Sequence, residues 1–186
     1  LKKLLAYSTI AHLAYVFLGV GVAIMGSRLG GYAGAMHIMN HSVGKGLLFL
    51  SVGVLSYTAG TRRISELSGV ARTSPLAAMA FVVGMLAILG VPPFSGFWSK
   101  FYLMVAALKL GGVSGWLLLI QFALEIVVAF AWFLHIGHKV FFGPASGPVA
   151  KAGAVPGVMA AALIVLMLLT LLAPWVAMQL MGTMGL

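Results

Sequence analysis

Gly90-Val91-Pro92-Pro93-Phe94-Ser95-Gly96-Phe97-Trp98-Ser99-Lys100 interrupts an apolar block covering residues 75–110. Two adjacent prolines remove two backbone donors and clash with the preceding turn, so a helix reaching Leu89 must stop or unwind near Pro92. Gly96 is expected to add slack just beyond. Four more apolar blocks flank this one, covering about residues 4–25, 32–57, 115–142 and 155–180. A hydrocarbon core of ~30 Å takes ~20 helical residues, so each of the four fits one transmembrane helix. The interrupted block is too long for one straight helix, and its two halves are short for two crossings.

Loop charge arbitrates. If the interrupted block crosses once, Lys2, Lys3, Arg62, Arg63, Arg72, Lys139 and Lys151 share one side and only Arg28 and Lys109 face the other. If it crosses twice, Lys139 and Lys151 change sides, Lys109 joins the larger group, and the asymmetry weakens. The positive-inside rule favours a single broken crossing, with the Arg62, Arg63 and Lys139 loops cytoplasmic. The expected fold is all-α: one polytopic membrane domain over residues 1–186, with about five transmembrane helices, one broken near Pro92-Pro93.

Composition supports this class independently. Hydrophobic residues make up 62% of the chain and charged residues 7%, against about 25% charged in a soluble domain. The net charge of +9 resembles a nucleic-acid signal, but the basic residues fall in short loops between apolar runs, as topology signals do, so no nucleic-acid partner is expected. There is no cysteine, which excludes disulfides, thiolate-held zinc or iron–sulfur clusters, and a thiol nucleophile within the chain. No Gly-rich phosphate loop, Ser/His/Asp constellation or paired carboxylates appear. The 24 glycines are spread through the spans, where small residues let helices approach closely. The start at Leu1-Lys2-Lys3, at the mouth of an apolar run, is expected of a fragment.

Ionisable residues inside membrane spans mark function more often than packing. His37, His41 and Lys45 recur every four residues, so they share one helix face and climb ~12 Å along its axis. Lys45 falls near mid-span, where an ammonium needs a partner, a wet cavity, or the freedom to give up its proton. Imidazoles beside it are natural proton relays. The alternative is that the histidines only hydrogen-bond neighbouring helices. The same spacing suits two metal ligands, but no third ligand lies near in sequence and Lys45 would repel a cation, so no metal is assigned.

Lys100 lies one turn past the double proline. Unwound backbone within a membrane is tolerated where it lines a cavity or site. The competing reading is a loop between two short helices, with Lys100 snorkelling to the headgroups. His12, two turns into the first block, either hands protons to the ladder or packs as a hydrogen-bonded residue. Glu125, deep in the fourth block, suits pairing with a lysine, proton transfer, or both. His135, His138 and Lys139 mark the aqueous end of that block.

Three runs resemble a known family in the right order: residues 2–12 (KKLLAYSTIAH), residues 37–50 (HIMNHSVGKGLLFL) and residues 90–100 (GVPPFSGFWSK). They are similar to the antiporter-like subunits of respiratory complex I, of membrane-bound hydrogenases and of multisubunit cation/proton antiporters. The resemblance implies a fold of about fourteen helices built on two inverted repeats with one broken helix each, of which this chain resembles the last five. By motif position, Lys45 resembles the central lysine, His37 and His41 its associated histidines, and Lys100 the ionisable residue at the break. The glutamate and lysines of the first repeat have no counterpart here, and Glu125 lies outside the matching motifs.

The expected function is translocation of protons, or of sodium, within a redox-driven complex such as an NADH-quinone oxidoreductase or a membrane-bound hydrogenase. The expected carriers are Lys45, Lys100, His37, His41, His12 and Glu125. No redox or catalytic centre is expected in this chain, and iron–sulfur clusters, flavin or nickel would reside only in partners. Those partners would be other membrane subunits and a peripheral redox arm, in a prokaryotic plasma membrane. The rival from another class is a structural or assembly subunit that conducts nothing. A substrate transporter would need polar lining for a midplane pocket, and the sequence offers little.

Overall fold

The computed structural model describes residues 2–183, so Leu1 and residues 184–186 of the expected single domain lie outside the described residues. Eight helices follow in order: α1 (Lys2–Ile24), α2 (Arg28–Ala59), α3 (Val70–Thr73), α4 (Pro75–Leu89), α5 (Ser95–Leu110), α6 (Gly112–Phe141), α7 (Gly147–Ala150) and α8 (Gly157–Thr183). A single 3-10 turn, Ile64–Glu66, precedes α3, and no strand occurs among the described residues. Four helices, α1, α2, α6 and α8, are long and apolar enough to cross a membrane. The long helices coincide with the apolar blocks to within a few residues, because a chain in lipid must satisfy its backbone polar groups within each segment. The second helix starts four residues earlier than the block suggested, at Arg28, because Ser27 is extended and its Oγ accepts from Gly30 N at 3.3 Å.

The interrupted block crosses once. The loop after α2 and the loop after α6 are bonded together: Ser68 Oγ donates to Phe142 O and Pro144 O at 3.4 and 3.2 Å, Ser146 N donates to Ser68 O at 3.1 Å, and Ser146 Oγ donates to Glu66 O. Gly153 N also donates to Thr58 O at 3.0 Å. Helix α6 is 30 residues long, or ~45 Å at 1.5 Å per residue, so it returns the chain across the full depth that α4 and α5 together have traversed. Arg62, Arg63, Lys139 and Lys151 therefore lie at one end, as the charge tally expected.

Helix α2 is the axle, packing on α1, α4, α5 and α8. Its contact with α1 is set by glycine: a Cβ on Gly19 would lie 2.6 Å from Gly34 Cα, so a side chain there would force the two backbones apart. The break is set in the same way. Helix α4 ends with Gly90 at φ 82, whose N–H closes on Leu86 O, a conformation that costs glycine little. Gly96, expected to be slack, is instead helical in α5, and a Cβ there would stand 2.0 Å from Ala87 O. Its role is close approach: it lets the start of α5 lie against the end of α4. The apolar core fills the space between α2, α4 and the far end of α6, around Leu47, Leu48, Phe81 and Phe133.

Candidate proton-relay site

Ionisable residues of four helices, α1, α2, α5 and α6, meet near the break. Helix α2 presents His37 and Lys45, both buried, on its i, i+4 face, with His41 half-buried between them. Their rings do not simply stack along α2. His12 of α1 inserts between them, 5.3 Å from the His37 ring and 5.0 Å from the His41 ring, whereas His37 and His41 are 6.1 Å apart. The ladder read from one helix is thus a cluster built by two.

Hydrogen bonds give the cluster a direction. Ser99 Oγ donates to Gly96 O at 3.2 Å, which uses its one proton. His37 Nδ1, 3.0 Å from Ser99 Oγ, must then donate to it. A neutral His37 consequently accepts at Nε2, and the partner 3.1 Å away, His12 Nδ1, is the donor. His12 Nε2 is left with the lone pair that can take a proton. His12 is therefore hydrogen-bonded to the ladder, a contact common to both roles that its sequence position left open.

The two lysines are held differently. Lys45 Nζ donates to Leu5 O at 2.9 Å, a carbonyl that also accepts from Thr9 Oγ1 at 2.9 Å. It has no carboxylate beside it: the chain holds two acidic residues, Glu66 and Glu125, and both pair elsewhere. Lys100 does not snorkel. It is 2% exposed, with Nζ 3.3 Å from Leu89 O and 3.4 Å from Glu125 Oε2. Leu89 closes α4, whose last carbonyls lack intrahelical donors, so the break itself creates a site for a cation. Glu125 lies at the middle of α6, so the pair is well inside the span.

Three participants were not anticipated. Tyr15 donates its hydroxyl to Glu125 Oε2 and lays its ring 4.7 Å from Lys100 Nζ and 5.0 Å from the His37 ring. Its signal was present, since Tyr15 follows His12 by three and shares its face. Ser99 and Asn40 stood unread inside the quoted motifs. Asn40 Nδ2 donates to Ser95 O at 2.7 Å, tying α2 to the first turn of α5. Asn40 Oδ1, His41 Nε2 and Ser95 Oγ are buried without a hydrogen-bond partner among the described residues, which concentrates unspent polar capacity around the break. His135, His138 and Lys139 are exposed at the end of α6, away from the cluster.

The residues that build this site fall inside a recognised sequence region. The profile of the family described as NADH:quinone oxidoreductase/Mrp antiporter, TM, matches residues 1–127. The chain is 32% identical to NADH-quinone oxidoreductase subunit N of Desulforudis audaxviator (strain MP104C), over 82% of this chain and 29% of that protein. It is 31% identical to hydrogenase-4 component B of Escherichia coli (strain K12), over 97% of this chain and 30% of that protein. It is 34% identical to the putative antiporter subunit mnhD2 of Staphylococcus aureus (strain N315), over 79% of this chain and 28% of that protein. The chain thus spans less than a third of the length of these relatives. The apolar spans, the broken helix and the matched region together make it an integral membrane protein, and it belongs to the NADH:quinone oxidoreductase/Mrp antiporter transmembrane family.

Proposed function

We propose that this chain carries one proton-translocating half-channel of an antiporter-like subunit. Lys45 is the central carrier, His41, His12 and His37 are the relay, and Lys100 at the break is the terminal site. The observation that carries this reading is the clustering of these groups: His12, His37 and Ser99 are joined by hydrogen bonds of 3.0–3.1 Å, and the Tyr15 ring lies against both His37, at 5.0 Å, and Lys100 Nζ, at 4.7 Å. Lys45 stands one turn from His41 on the same face of α2. Charge at one of these groups changes the energy of charge at the next, since the site is buried and poorly screened. That is how a driving reaction elsewhere would move protons here.

The driving reaction belongs to partners. The relatives carry names of NADH-quinone oxidoreductase, hydrogenase and antiporter subunits, which supports a place among the membrane subunits of such a complex. Iron–sulfur, flavin or nickel chemistry would sit in a peripheral redox arm. The end bearing Arg62, Arg63, Lys139 and Lys151 is assigned to the cytoplasm on charge. Sodium is the alternative cargo, and replacing sodium by choline in the transport assay distinguishes it.

The test uses the assembled host complex in membrane vesicles. Lys45→Ala and Lys100→Ala should each leave the driving reaction running while ion translocation falls about a hundredfold, the scale of a positioned acid–base group. Undiminished translocation in both variants discards the proposal.

A further inference from the structure

The pair Lys100–Glu125 is lopsided: the lysine side chain is 2% exposed and the glutamate 27%. The open side of Glu125 faces a cleft of about 470 Å³ between α1 and α6, whose lining includes Tyr15, Gly21, Gln121, Phe122 and Glu125. Gln121 precedes Glu125 by one turn, so both project from one face of an otherwise apolar stretch of α6 into the same cleft. A carboxylate and an amide turned toward hydrocarbon would be costly, and in spans such groups line wet or protein-covered space. Tyr15 forms the wall between cleft and relay: its ring lies 5.4 and 5.0 Å from His12 and His37, and its hydroxyl is bonded to Glu125 Oε2. Both contacts to Glu125 fall on Oε2, and Oε1 carries no hydrogen bond among the described residues.

We propose that Glu125 is a proton-exchange site through which Lys100 discharges into the α1–α6 cleft, with Tyr15 as the positioning residue that holds Oε2 on the ammonium. This rests on the reading of Lys100 as a proton carrier. In the step, an N–H bond of Lys100 breaks and an O–H bond forms on Glu125, turning the ion pair into a neutral amine and a neutral carboxylic acid. Glu125 then gives that proton to water in the cleft and is again a carboxylate. The amine regains a proton from the relay side, restoring the pair. One proton enters and one leaves per cycle, and no oxidant or reductant takes part.

The experiment treats the assembled host complex in vesicles with the lipid-soluble reagent dicyclohexylcarbodiimide, which adds the O–H of a protonated carboxyl in apolar surroundings across its C=N bond and rearranges to a stable N-acylurea. Only Glu66 and Glu125 carry side-chain carboxyls, so mass mapping of the chain assigns the adduct. The expected result is an adduct on Glu125 with loss of translocation. Glu125→Gln should translocate about a hundredfold more slowly, Glu125→Asp should recover part of the rate, and Tyr15→Phe, which keeps the ring, should lose about tenfold, the worth of one hydrogen bond. A Glu125 that stays unmodified, or a Glu125→Gln variant that translocates at the wild-type rate, overturns the exchange site. If Lys100→Ala is impaired while Glu125→Gln is not, this inference alone fails; if Lys100→Ala and Lys45→Ala both translocate normally, the underlying function fails. Should Glu125→Gln not assemble, the adduct on the wild-type chain decides.

Discussion

Two buried lysines, fifty-five residues apart, solve the same problem in opposite ways. Lys100 is surrounded by answers to its charge: a helix-end carbonyl, a carboxylate and an aromatic face. Lys45 has one carbonyl, already shared with Thr9. A buried pair resists change, because removing one partner leaves the other charged and stranded. A buried ammonium without a counter-charge leaves no charged partner stranded when it is removed. On the proposed reading this is a division of labour, in which Lys45 carries its proton without a fixed counter-charge and Lys100 passes its proton to the carboxylate that holds it.

That contrast is most directly broken by stability measurements on single and paired variants. Lys100→Met should destabilise the protein by about 3 kcal/mol, since it strands Glu125, whereas Lys100→Met with Glu125→Gln should recover much of the loss. Thermal unfolding of the detergent-solubilised complex, run as a double-mutant cycle, checks this; additive losses would show that the two residues do not act as a pair. Lys45→Met should be much milder, within about 1 kcal/mol, because Leu5 O keeps Thr9 and no carboxylate is orphaned. A large loss there would mean that Lys45 holds the fold together, and the division of labour would collapse. The smallest effect belongs to Arg63–Glu66, whose N···O distance of 3.4 Å equals that of Lys100–Glu125 but whose side chains are 80% and 37% exposed. Arg63→Ala should change stability by less than about 0.5 kcal/mol, so that burial and not distance separates the two pairs.

Much of this molecule was readable before any coordinate. Apolar length located the spans, the double proline located the break, and the basic loops chose a single crossing, which the bonds from Ser68 to Phe142 and Pro144 bear out. The i, i+4 row of α2 was legible because a helix has one period. The insertion of His12 was not, since it depends on how α1 is rotated against α2, and that is decided by the close approach of Gly19 to Gly34. Tyr15 and Glu125 are 110 residues apart, and nothing local links them. Gly96 was misread for the same reason: its neighbour Ala87 lies across the break.

Sequence alone determined which segments enter the membrane, where one of them breaks, and which ionisable groups are carried inside, because bilayer thickness, proline geometry and the cost of charge act on each segment separately. Only the tertiary structure decided which groups meet: that Lys100 turns back onto Leu89 and Glu125, that His12 completes the histidine cluster, and that Tyr15 stands between that cluster and the cleft. Helices that are apolar on every side give little sign of which side faces a neighbour, so their rotation and crossing are set by glycine contacts and interhelical hydrogen bonds.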